Sequence, residues 1–172
     1  MTISMYKASV PIFVQFLTSL AGVLDKAAAH AEAKKIDPSV LLNTRLSPDM
    51  FPLVRQVRAA TDHAMNACGR LAGAELPTFA NTEASIPELK QRIETAVEFL
   101  KGLTPAAIDG TEDKDIKITF PSGATREFTG QGFLLNQCLP NFYFHCTTAY
   151  DILRQCGVEL GKRDFMGTPV KP

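Results

Sequence analysis

An all-α fold, a four-helix bundle carrying one small β-hairpin between its third and fourth helices, follows from three observations on this chain. Four stretches repeat apolar residues at alternating steps of four and three, the spacing of a helix that buries one stripe. One short stretch instead alternates about a Pro-Ser-Gly turn, the pattern of paired strands. The 172 residues are 45% apolar and 21% charged, which suits one soluble domain over 1–172 with a substantial core.

Helix one is expected over 10–35, where Phe13, Leu17, Leu20, Leu24, Ala27 and Ala31 form the stripe and His30 lies at its edge. A connection over 36–46 then crosses the end of the bundle. Ser47 reads as the N-cap of helix two, with Pro48 at the first helical position, where a missing N–H costs nothing. Leu46 and Phe51 have the spacing of a hydrophobic staple. Met50, Val54, Val57, Ala64, Cys68 and Leu71 make its core face, and Gly73 is its stop. Beside that face runs a polar seam of Asp49, Gln56, His63 and Arg70, one every seven residues. The ordinary reading of such a seam is a half-wet boundary. The alanines Ala59 and Ala60 leave room along it.

A polar linker over 74–84 leads to Ser85-x-x-Glu88, a capping box, and to helix three with the stripe Leu89, Ile93, Ala96, Leu100 and Leu103, closed by Pro105. Ile116-Lys-Ile-Thr-Phe120 and Ala124-Thr-Arg-Glu-Phe128 are the hairpin strands, too few to stand without the helices. Helix four occupies 131–156 and stops at Gly157. The tail has Phe165 and Met166 as its anchors and should fold back over the bundle, fraying at its end.

Composition excludes several classes of function. Eighteen Lys and Arg balance eighteen Asp and Glu, so nothing favours nucleic acid or an acidic membrane surface. Cys68, Cys138, Cys146 and Cys156 include no Cys-x-x-Cys pair and read as free thiols in a reducing compartment. The apolar N-terminal stretch keeps helical spacing and reads as the first bundle helix, not as a leader; no segment is expected to span a bilayer, and the protein is expected in the cytoplasm.

The chemistry concentrates in helix four. Leu134, Cys138, Asn141, His145, Thr148 and Ile152 share one face, oily at its ends and polar in the middle. Polar groups there must be hydrogen-bonded. Three readings stand side by side: a closed network fixing helix register, a metal site using residues at i and i+4, and a metal-free small-molecule pocket with His145 as acid or base and Asn141 orienting. Pro140 removes an N–H one residue before Asn141 and distorts the helix there, which favours a cavity. An enzyme would keep His145 reachable beside a depression; a structural role would close the polar residues on each other with no void.

Four stretches carry a resemblance: RLSPDMFPLVRQV (45–57), RLAGAELP (70–77), LPNFYFHCTTAYDILR (139–154) and GVELGKRDFMG (157–167). Across nearly the whole chain they resemble an uncharacterised domain-of-unknown-function family within the DinB/YfiT-like superfamily, many of whose members are read as metalloenzymes. The resemblance implies a DinB-like bundle, a homodimer, and in some relatives a metal-dependent thiol transferase or isomerase. It implies a metal held by one histidine early in helix two and a His-x-x-x-His pair in the last helix. Here those positions fall on Gln56 and on Asn141 with His145, so one imidazole of three is kept. Such a trio is a weak site for zinc or nickel; His63 or Asp49 would strengthen it by turning inward. The expected site is therefore a polar pocket of Gln56, Asn141 and His145, with Asp49 and His63 near it and His145 as the catalytic candidate. A small molecule is its expected ligand, no cofactor is assigned, and a weakly held divalent metal stays open.

Overall fold

The computed structural model describes residues 3–119 and 122–170. In chain order it contains α1 (Val10–Lys34), α2 (Pro38–Asn43), α3 (Leu53–Ala72), α4 (Ile86–Lys101), α5 (Pro105–Ile108), β1 (Asp115–Thr119), β2 (Thr125–Thr129) and α6 (Gly130–Gly132). A π-helical turn, Phe133–Cys138, joins α6 to α7 (Leu139–Gln155), and α8 (Lys162–Met166) closes the chain. The long helices α1, α3, α4 and α7 form the bundle, with α3 against α7 and α4, and α1 against α4 and α7. A helical bundle with one small hairpin is thus the fold. Phe120, in the first expected strand, and the turn residue Pro121 lie outside the described residues, as do Lys171 and Pro172 of the tail.

The stripes read from the sequence are the core. Phe13, Leu17 and Leu24 of α1, Val57 and Leu71 of α3, Leu89, Ile93 and Leu100 of α4, and Ile152 of α7 are all fully or almost fully buried. Phe13 meets Phe142 edge to face at 4.8 Å, locking α1 to α7. The Ser85–Glu88 capping box forms, with the Ser85 N–H donating to Glu88 Oε2 at 2.9 Å. Gly73 and Gly157 end their helices at φ +68 and +86, backbone that L side chains rarely adopt. Strands β1 and β2 pair antiparallel with Ile116 opposite Phe128, and the buried Ile116 leans the hairpin on the helices. The tail does fold back: Phe165 packs on Phe16 and Tyr150, and the Ser19 hydroxyl donates to the Phe165 carbonyl at 2.7 Å.

Four expectations need correction. Helix α3 begins at Leu53 with Pro52 at its N-cap, not at Ser47. Pro52 disfavours helical backbone at the residue before it, so Phe51 stays extended and the helix nucleates later. Consequently Leu46 and Phe51 form no buried staple; they are 38% and 39% exposed. Pro105 does not merely close a helix but opens the short α5, since proline suits a first helical turn. Finally, α1 is long and apolar enough to cross a membrane by length and composition, with 25 residues and a mean hydropathy of 1.4. Its Phe13, Leu17 and Leu24 are at 0% exposure in the bundle. Each such side chain contributes about 1.5–3 kcal/mol to this packing, which explains the hydropathy as that of a core helix.

Candidate functional site

The site is built where α3 faces α7. The late start of α3 leaves the Phe51 carbonyl free, and Gln56, 1% exposed, donates its Nε2 to that carbonyl at 3.0 Å. A carbonyl only accepts, so the amide nitrogen must face it and Oε1 must face the other way. There Oε1 meets His145 Nδ1 at 2.7 Å. His145 therefore carries its proton on Nδ1 and keeps the lone pair on Nε2.

Rings surround this imidazole. His63 lies nearly parallel to it, with centroids 5.5 Å apart and planes 15° apart. Phe51 is also nearly parallel, at 6.2 Å and 8°. Phe144 presents an edge at 5.3 Å. The Arg55 guanidinium covers the Phe51 ring at 3.8 Å, a cation–π contact. Burial first, and then the neighbouring His63, push the His145 pKa down to about 4. Burial lowers that of His63 as well. Because Gln56 carries no charge, it orients the ring without favouring the imidazolium. At neutral pH both rings are neutral, and His145 is a hydrogen-bond acceptor much more than a base.

Of the residues singled out in the sequence, Gln56, His63 and His145 come together and two others do not join them. Asn141 is half-buried and donates Nδ2 to the Gln137 carbonyl of its own helix at 2.6 Å. Asp49 is exposed in the loop before α3, and its carboxylate accepts the Ser47 hydroxyl at 2.7 Å, a bond that holds its pKa low. Thr148 is likewise turned to its own helix, donating to the Phe144 carbonyl at 2.7 Å.

The π turn explains the displacement of Asn141. Pro140 has no N–H, and its ring would press on the carbonyl four residues back. The preceding turn widens instead, with the Leu139 N–H reaching back five residues to the Leu134 carbonyl. Phe142, at 0% exposure, follows Leu134 and Cys138 into the core in place of Asn141. The widened turn also forms one wall of a cleft of about 230 Å³, through Phe133, Gln137 and Cys138. Asp62, His63, Asn66 and Arg70 of α3 and Ile118 and Thr119 of β1 line the same cleft. His63 thus borders both the cleft and the His145 ring.

A transition metal does not fit Gln56, Asn141 and His145 as placed. Gln56 Oε1 is taken by His145 Nδ1, Asn141 is turned to a main-chain carbonyl, and neutral amide oxygens suit soft divalent ions poorly. His63 does not repair the set. Lone pairs of near-parallel stacked rings run in parallel planes and do not converge on one point. Among the described residues no group of three or more His, Cys, Asp or Glu is arranged to hold an ion.

The sequence reading missed two features near the site. Phe51 is one, because its spacing from Leu46 is that of a staple. The other is Arg92 of α4, 2% exposed, whose Nε donates to Thr61 Oγ1 at 2.7 Å and whose Nη atoms reach Asp62 at 2.5 Å, Glu83 at 2.7 Å and Asn81 at 2.9 Å. Its guanidinium also lies 4.1 Å from the centroid of the Phe79 ring. The only signal was an arginine at the edge of an apolar stripe; Thr61 and Asp62 come from α3, and Asn81 and Glu83 from a linker whose path is not local.

Comparison with known proteins places the chain in a family. The model of a domain of unknown function, DUF1993, matches residues 5–166. The chain is similar to the crystal structure of a DinB family member from Shewanella denitrificans, with 40% identity over 97% of this chain and 94% of that one, and a TM-score of 0.86. No curated protein matches the chain.

Proposed function

The chain belongs to the DUF1993 family of domains of unknown function, and on that premise we propose that it is a small-molecule-binding bundle working without a tightly held transition metal. The ligand sits in the cleft beside His63. The bond between Gln56 Oε1 and His145 Nδ1, at 2.7 Å, carries the reading. Where the family resemblance puts a metal ligand on helix two, this chain has an amide already consumed in holding an imidazole. Gln56 and His145 serve as the rigid backing of His63, and His63 presents neutral nitrogens to the ligand. A chemical step by His145 is disfavoured, because a base with a pKa of about 4 is nearly powerless at neutral pH.

The thiol-transferase alternative loses its metal on the same ground. The non-catalytic alternative, a buried network alone, draws support from the low exposure of Gln56 and His145, 1% and 8%. It leaves the open cleft against His63 without a role.

Two measurements on the full chain test the proposal. Protein incubated with zinc or nickel and then desalted should retain well under one equivalent, whereas the paired change Gln56→His with Asn141→His should raise retention. A panel of small organic molecules screened by thermal shift in the presence of chelator should contain saturable stabilisers whose effect disappears in His63→Phe. Stoichiometric metal in the unaltered protein, or a panel with no stabiliser, refutes the reading.

A further inference from the structure

We infer that the cleft beside His63 selects a small carboxylate with an apolar body, its carboxylate held by Arg70 and its body against Ile118 and Phe133. This rests on the small-molecule reading above and adds the ligand's chemical class.

Charge is the first argument. The Arg70 Nε donates to Asn66 Oδ1 at 3.2 Å, which sets the plane of the guanidinium at the cleft. Among the described residues no carboxylate pairs with Arg70, so its Nη groups are free to form a two-pronged bond. The other charged residue of the cleft, Asp62, is already paired with Arg92 at 2.5 Å. At the hairpin, Lys117 is paired with Glu127 at 3.3 Å. Lys114 adds positive charge nearby, its Nζ donating to the Arg70 and Leu71 carbonyls at 2.8 and 2.9 Å. The balance at the cleft is one uncompensated guanidinium.

Shape and polarity are the second argument. About 230 Å³ is below the usual range for drug-sized ligands, about 300–1,000 Å³. Sharing the cleft with Arg70 are Ile118 and Phe133, and Cys138, whose thiol burial keeps protonated with a pKa of about 12. Neutral His63 and Gln137 supply hydrogen bonds without charge. One fork-shaped cation, a dry wall and neutral polar groups match a monoanion with a hydrocarbon part. A phosphate would ask for several converging cations, and the cleft has one.

The test is an NMR titration of the full chain with benzoate, benzamide and inorganic phosphate, following the Ile118, Phe133 and Gln137 amides. Benzoate should shift them saturably, and benzamide, its uncharged counterpart, should bind about tenfold more weakly or worse, as expected when a charge-assisted pair is lost. Arg70→Gln should erase that preference while leaving the spectrum folded, and Arg70→Lys should restore only part of it. Equal binding of benzoate and benzamide, or a preference that survives Arg70→Gln, overturns the carboxylate inference and leaves the small-molecule reading standing. Tighter binding of phosphate than of benzoate overturns it too. No saturable shift with any probe sinks the inference; the thermal-shift panel then decides separately whether the small-molecule reading falls with it.

Discussion

The pairing of Gln56 with His145 can be tested by a double-mutant cycle. In His145→Leu the Gln56 Oε1, in a side chain 1% exposed, loses its donor. A buried acceptor left unpaired costs about 1–3 kcal/mol, and the added apolar area of leucine returns only part of that. No charge is lost at neutral pH, because the ring is uncharged there. In Gln56→Leu the buried Nδ1–H of His145 is the orphan, with a cost of the same size. With both residues leucine, only the Phe51 carbonyl loses its donor, and at a residue 39% exposed water takes that place, so the double variant should lie near the parent in stability. The two single costs add while the double variant stays near the parent, so the expected coupling is about 2–6 kcal/mol before the leucine gain is deducted, well above the roughly 0.5 kcal/mol scatter of independent sites. Urea unfolding of the four proteins at pH 7.5 measures it, with m-values checked for constancy. In a chain of this size each kcal/mol moves Tm by about 2–4 °C, so melts give a second reading. Additive single effects, or a His145→Leu variant more stable than the parent, would refute the pairing and with it the fixed tautomer.

Other predictions follow from separate observations. His145 is lowered on folding from about 6.5 to about 4, so between those values the unfolded chain holds a proton that the folded chain does not. Its contribution is complete above pH 6.5 or so and is lost as pH falls towards 4, by about 3 kcal/mol, with His63 adding in the same direction. Urea unfolding from pH 7.5 to 4.5 should show that slope, and a slope unchanged in the double-leucine variant would contradict it. Arg92→Met should cost about 1–3 kcal/mol by removing the donor to Thr61 Oγ1 and the partner of Asp62, while Glu83 keeps Arg58 at 2.7 Å, and hydrogen exchange should show the 74–84 linker opening. Unaltered exchange there would argue against Arg92 holding the linker through Asn81 and Glu83. Gly130→Ala puts a Cβ 1.9 Å from the Thr111 carbonyl oxygen, so backbone must move, at a cost of about 1–3 kcal/mol in melts. A homodimer, expected from the family resemblance, would find a ready apolar contact in Phe144, 54% exposed. Sedimentation giving a monomer would dismiss it.

Much of the bundle was legible because a helical stripe is a local statement: the residue at i, its neighbours at i+3 and i+4, and the burial they share. The capping box at Ser85 and the stops at Gly73 and Gly157 are local too, each satisfied within a few residues. The start of α3 was misjudged because two prolines competed. Pro48 and Pro52 both fit a first turn, and only the penalty Pro52 imposes on Phe51 decides between them. At the site, Gln56 and His145 could be named from their places on facing stripes. Their bond could not, since it spans 89 residues and depends on the Phe51 carbonyl left open by that same proline. The Arg92 cluster was hidden for a similar reason. Asp62 reaches it from α3, 30 residues away in sequence, and Glu83 from the 74–84 linker.

Two prolines thus shape the site from opposite sides, and neither touches a ligand. Pro52 delays α3, which frees a carbonyl to set the Gln56 amide and hence the His145 tautomer. Pro140 widens the turn before α7, which removes Asn141 from the core face and puts Phe133, Gln137 and Cys138 around a cleft. Replacing Pro140 by alanine restores the missing N–H and with it the choice of an ordinary α-turn. Were the π turn to relax, the 133–138 segment would rotate relative to α7 and the cleft wall would be lost, while the Gln56–His145 bond, on the far side of the proline, would persist. The Pro140→Ala variant should therefore keep the low His145 pKa, read from its ring protons by NMR, and lose its small-molecule stabilisation in the thermal-shift panel. If the two move together, the backing and the cleft are one unit, and the division of labour argued for them is wrong.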